Sequence, residues 1–161
     1  MTHPAPRRTA PDLSFLLDHT GHALRTRMAA ALAEVGLTAR MHCVLVHALE
    51  AERTQIQLAE LGGMDKTTMV VTVDALEAAG LAERRPARTD RRARIVAVTE
   101  AGAAAAGRSQ EIADRVHREV LAALPGEDRE ALLRALDLLA GGPLATPVAA
   151  PRPARRARRA H

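Results

Sequence analysis

Aromatic side chains are almost missing from this chain: Phe15 stands alone, with no Trp and no Tyr. Proteins that hold single-stranded nucleic acid stack bases on aromatic platforms, and sheet-based RNA readers need surface aromatics. Neither class has its working parts here. Cysteine is reduced to Cys43, which excludes an internal disulfide framework and fits a reducing compartment. The two serines, Ser14 and Ser109, fall in different predicted helices, and no nucleophile elbow, P-loop or carboxylate cluster accompanies them. No enzyme, catalytic residue or cofactor is expected. No apolar run approaches the length of a membrane span, and Met1–Pro11 is Pro-rich without the apolar core of a signal peptide. The expectation is a cytoplasmic protein with no membrane partner.

Lysine is scarce too: of 23 basic residues only Lys66 is Lys. Wholesale use of Arg is most simply genomic base composition, although guanidinium also suits bidentate contacts to phosphate and guanine. Where the charge lies is more telling than its kind. Residues 143–161 hold five Arg and no acid, so the other 142 residues sum to +4 − 5 = −1. On this nearly neutral body, residues 84 to 94 gather six Arg and one acid. A core cannot bury that density of unpaired guanidinium, so the segment must face solvent or a polyanion.

The 161 residues fit one domain with tails. Residues 1–11 read as a disordered arm. A first helix starts at Asp12, with Leu13, Leu16, Leu17, Leu24, Met28, Leu32 and Val35 at helical spacing, and ends at Gly36. Thr38 caps a second helix to Ala51, with Met41, Val44, Leu45, Ala48 and Leu49 predicted inward. Thr54 caps a third, whose Ile56, Leu58, Ala59 and Leu61 are predicted to face a core, and Asp65 caps a fourth. The run Met69-Val70-Val71-Thr72-Val73 suggests a strand by propensity. Its place between an N-cap and Gly80, with Met69, Val73 and Leu76 in period, predicts helix. Leu81–Arg85 and Arg94–Val98 are predicted strands around a Pro-containing loop. A fifth helix starts at Glu100 and breaks at Pro125-Gly126; a sixth covers about Glu127 to Ala140, before a Pro/Ala/Arg tail.

The fold class is therefore mainly α with a small β-hairpin. A helix pair beside an Arg-loaded arm is the shape of a winged helix-turn-helix that reads duplex DNA. Residues 37–99 form that region, 12–36 and 100–141 a helical dimerisation region, and 142–161 a disordered Arg-rich tail. The first, fifth and sixth helices cannot all hide their apolar stripes against so small a core, so a second copy of the chain is expected to cover them. A symmetric homodimer presents two reading heads about one DNA turn apart.

Gly36-Leu37-Thr38, Gln57-Leu58-Ala59, Asp65-Lys66-Thr67-Thr68, Val73 through Leu81, Arg84-Arg85, and Asp90-Arg91-Arg92 followed by Val98-Thr99-Glu100-Ala101-Gly102 resemble the MarR family of bacterial regulators. The resemblance covers roughly residues 12–141. It implies an obligate dimer built on the terminal helices. It also implies operator-binding regulation, usually repression, relieved by a small phenolic or other ligand, by oxidation, or sometimes by metal. It places the fourth helix in the major groove and Arg92 in the minor groove, braced by Asp90.

The DNA-binding candidates are Lys66, Thr67, Thr68, Val70 and Val71 on the fourth helix, and Arg84, Arg85, Arg88, Asp90, Arg91, Arg92 and Arg94 on the arm. Val70-Val71 stand where family members often carry a polar residue followed by Arg. They either contact thymine methyl groups, leaving Lys66, Thr67 and Thr68 to bind phosphates and base edges, or pack inward on a slightly rotated helix. The family's ligand pocket lies near the first and second helices, which here carry Phe15, His19, His22, Arg25, His42 and Cys43 as candidates for a small anionic effector. Cys43/His47 and His19/His22 have metal-ligand spacing, but zinc needs three or four converging groups and no CxxC pair is present; no metal is expected. The apolar neighbours of Cys43 argue for a packed thiol over a redox switch. A winged helix that binds a protein partner without specific DNA binding remains the alternative; it would need no Arg on the wing and would expose a broader apolar patch.

Overall fold

The computed structural model describes residues 11–87, 94–146 and 148. Six helices and one hairpin follow in the order α1 (Leu13–Ala33), α2 (Ala39–Glu50), α3 (Gln55–Leu61), α4 (Lys66–Ala78), β1 (Ala82–Pro86), β2 (Arg94–Val98), α5 (Glu100–Ala122) and α6 (Gly126–Ala140). The predicted mainly helical winged architecture is the one observed. By its contacts the chain divides into two compact units, Met1–Glu119 and Val120–His161.

In the first unit, helix starts are written by short polar side chains. The carboxylate of Asp12 accepts from Phe15 N, Thr38 Oγ1 from Met41 N, and Thr54 forms a reciprocal capping box with Gln57. At α4 the Asp65 carboxylate accepts both the backbone N–H of Thr68 (2.8 Å) and its hydroxyl (2.9 Å). That cap starts a helix through a β-prone run, and the period is then confirmed by burial: Met69, Thr72, Val73 and Leu76 face inward. Thr72, the polar member of the set, donates its hydroxyl to Thr68 O at 2.7 Å, so no donor is left unmet.

The core joins Met41, Val44 and Leu45 of α2, Leu58 of α3, Met69, Val73 and Leu76 of α4, Val96 of β2, and Ala105 and Ala106 of α5. The hairpin is antiparallel, with Ala82 opposite Val98, Arg84 opposite Val96 and Pro86 opposite Arg94. Its outer edge is extended by an isolated bridge between Thr54 and Ile95. Three expected core residues are instead on the surface: Leu49, Ile56 and Leu61 are 49%, 70% and 52% exposed. A seven-residue helix makes only two turns, and α3 spends its buried face on Leu58 with Ala59 half-buried; the neighbouring apolar positions have no facing element to meet. Leu49 lies in the last turn of α2, past the core contacts of Leu45.

Glycine is required where β2 leads into α5. Thr99 N–H donates to Leu81 O (3.1 Å), and its hydroxyl donates to Gly80 O (2.8 Å) while accepting from Gly102 N (3.0 Å). This binds the start of α5 so closely to the turn after α4 that a Cβ on Gly102 would overlap the carbonyl of Leu81.

In the second unit α6 buries none of its residues; Leu132, Leu133, Leu136 and Leu138 are exposed. A turn follows, in which Leu144 N–H donates to Leu139 O (2.9 Å) and Ala145 N–H to Gly142 O (3.1 Å). Among the described residues, no helix is long and apolar enough to cross a membrane.

Candidate nucleic-acid interface

The face that α4 turns away from the core carries Lys66, Thr67, Val70, Val71 and Asp74. Val70 and Val71 are 40% and 61% exposed, so the helix is not rotated to bury them. Thr68 is half-buried with its hydroxyl held by Asp65, which leaves that oxygen's acceptor side for other partners. The same two bonds from Thr68 hold the Asp65 carboxyl below the usual carboxylate range, so a negative charge sits fixed at the start of α4, where the helix dipole favours it.

Between α3, α4 and the start of β2 lies a depression of about 740 Å³, lined among others by Ile56, Met64, Met69, Val70, Lys66 and Arg94. The exposed Ile56 and Val70 thus border one hollow with a cation on either helix or strand beside it. On the hairpin, Arg85 is exposed and paired with Glu83, and Arg94 is exposed at the start of β2. Arg84 is different: its guanidinium meets Asp74 and Glu77 of α4. Of the expected wing residues, Arg88, Asp90, Arg91 and Arg92 lie outside the described residues.

The expected effector residues do not gather into one site. Phe15 and His19 stack on α1 with ring centroids 5.4 Å apart, and His22 and Arg25 are exposed further along the same helix. His42 turns instead to α5, where its Nδ1 lies 2.8 Å from Ser109 Oγ. The Ser109 hydroxyl donates to Ala106 O (2.9 Å), so the network assigns Nδ1–H as the donor of the His42 pair. Burial lowers the His42 pKa, helped by His117 and His47 and opposed by Asp114. Burial, and then Glu50, raise the Cys43 thiol, so it is less available as thiolate than an ordinary cysteine. Sequence reasoning missed Ser109, which is fully buried, and Asp74 and Glu77. The i, i+3 spacing of those two acids on α4, close ahead of the first wing Arg, was the signal available.

Residues 35–93 match the model of the MarR family. A solved structure of the transcriptional repressor CouR bound to a 23-mer DNA duplex is 30% identical, covering 80% of this chain and 92% of that one with a TM-score of 0.71. This chain belongs to the MarR family. CouR from Rhodococcus jostii RHA1 bound to p-coumaroyl-CoA is 29% identical over 88% of this chain and 100% of that one, with a TM-score of 0.74. A MarR family protein of Mycobacterium tuberculosis in complex with p-aminosalicylic acid is 27% identical over 81% and 98%, with a TM-score of 0.67. As a MarR protein the chain is a DNA-binding transcriptional regulator with a winged helix, in a family of generally non-enzymatic proteins.

Proposed function

We propose that this MarR protein is a homodimeric repressor that binds a pseudo-palindromic operator and is released by a small acidic effector. The observation that carries the reading is the exposed face of α4, where Lys66 and Thr67 lead into Val70 and Val71 beside a hairpin bearing Arg85 and Arg94. Aliphatic side chains at that place suit thymine methyl groups, while Lys66, Thr67 and Thr68 suit phosphates and base edges. By the family resemblance, the wing segment would add Arg88, Arg91 and Arg92, with Asp90 bracing Arg92 for the minor groove. A protein-binding module would present a broader apolar patch than Ile56, Val70 and Val71 interleaved with Lys66, Thr67 and Arg94.

Residues 37–99 are then the reading head, with 12–36 and 100–141 the dimerisation region. The exposed leucines of α1 and α6 support that division, because apolar rows of this kind need cover. The arms 1–11 and 142–161 stand outside it. For the effector, His22 and Arg25, exposed on α1, would meet an anionic group, and Phe15, stacked on His19 of the same helix, an aromatic body. The p-coumaroyl-CoA and p-aminosalicylic acid held by relatives share an aromatic body and an acidic part.

Selection of bound sequences from a random duplex pool tests the reading. Enriched duplexes are expected to carry two inverted half-sites spaced by about 10 base pairs, with thymine at a fixed place in each. Val71→Arg is expected to change the preferred base there, and an unchanged preference would remove Val71 from the readout. A pool that never enriches would end the proposal.

A further inference from the structure

We propose that Arg84, alone among the wing arginines described, is a positioning residue that locks the hairpin to α4 and makes no contact with phosphate. The inference rests on the DNA-binding reading above and assigns Arg84 a different part in it from the one its sequence suggests.

Four bonds converge on this residue. Its guanidinium meets Asp74 Oδ1 at 2.6 Å and Glu77 Oε2, and donates to Val70 O at 3.2 Å. Its own backbone N–H donates to Glu77 Oε1 at 2.7 Å. Both oxygens of Glu77 are therefore used by one residue of β1, through main chain and side chain together. Asp74 and Glu77 stand i, i+3 on one face of α4, a spacing that lets a single fork reach both.

Charge decides against a phosphate role. One guanidinium between two carboxylates gives a local sum of +1 − 2 = −1, so the cluster repels a phosphate. The Arg84 side chain is 22% exposed, whereas Arg85 next to it is 62% exposed, so only one of the adjacent pair is presented outward. Asp74 lies three and four residues beyond Val71 and Val70, the aliphatic pair proposed to read bases. The clamp thus joins the reading surface of α4 to the root of the wing. Both β1 and β2 take their aim from it, since Arg84 pairs with Val96 across the hairpin. Without the clamp each part could still touch DNA, but the two would no longer be held at one angle. Specific binding, which needs both in register, should suffer more than nonspecific binding.

The test uses the full-length protein, its selected operator and a random duplex, with affinity measured by anisotropy across a salt series. Arg84→Gln, Asp74→Asn and the double variant are compared with wild type. Each single variant is expected to lower the ratio of operator to random affinity by about five- to tenfold, and the double variant to be no worse than the worse single. The slope of log affinity against log salt should stay at the wild-type value in all three. A phosphate contact predicts otherwise: Arg84→Gln would weaken both duplexes alike and reduce the slope by about 1, while Asp74→Asn would not weaken binding. That result overturns the proposal, as does an unchanged specificity ratio in every variant. If Arg84→Gln fails to fold, Asp74→Asn decides alone, because it opens the clamp from an exposed carboxylate. Wild-type binding with a steep salt slope keeps the DNA reading intact whichever way the variants fall.

Discussion

His42 shows how a single residue ties α2 to the long helix α5. Its ring lies in α2, half-buried, and reaches Ser109 of α5, 67 residues away. The groups that act on it are His117, His47 and Asp114, with burial the largest influence and a net lowering from the ordinary 6.5. The sign of the pH effect follows. Near pH 6 the unfolded chain binds a proton at this residue that the folded chain resists, so acidification favours unfolding. Folding stability contributed by neutral His42 is complete above the ordinary imidazole range and falls as pH drops below 6.5. His42→Gln, which can still bond Ser109, is expected to remove that part of the loss; urea midpoints at pH 7.5 and 5.5 compare it with wild type, and parallel losses in the two proteins would count against it. None of this was legible in sequence, where His42 reads as one of several polar residues near a pocket. A pairing across 67 positions depends on how two helices cross, and no local pattern encodes that. The same holds for Arg84: a run of six Arg reveals the sign of a surface but not which guanidinium is consumed by Asp74 and Glu77.

Elements were far more legible, because their boundaries are set by neighbours a few residues apart. Thr38, Thr54 and Asp65 each cap the helix they were expected to cap, and Asp65 overrides the β-prone valines after it. Inward faces were readable where a helix is long enough to repeat its period against several partners, as in α4. They were not in α3, whose two turns gave Ile56 and Leu61 no element to pack on. The passage from β2 into α5 offers a sharp check. Gly102→Ala is expected to cost about 2 kcal/mol or more, since the new methyl would overlap the Leu81 carbonyl. Gly107→Ala in the same helix meets nothing within 4 Å and should stabilise by about 0.5–1 kcal/mol. Thermal melts of the two variants measure both signs; equal shifts would show that the contact at Leu81 does not govern.

At the scale of the whole molecule, what matters is where charge and apolar surface lie. The chain without its last nineteen residues sums to −1, so its affinity for a polyanion must come from placement. Lys66, Arg85 and Arg94 are exposed on the elements that flank the valine pair of α4, and further Arg lie in the segment joining β1 to β2. The exposed leucines of α1 and α6 were visible as stripes in the sequence, and a dimer is the proposal that covers them. The most direct test is an anisotropy titration of the full chain against its selected operator between 50 and 300 mM salt. Two chains per duplex are expected, with log affinity falling against log salt at a slope of about −5 or steeper, as roughly six neutralised phosphates require. A flat salt dependence, or saturation at one chain per duplex, would contradict a paired, wing-assisted reader of double-stranded DNA.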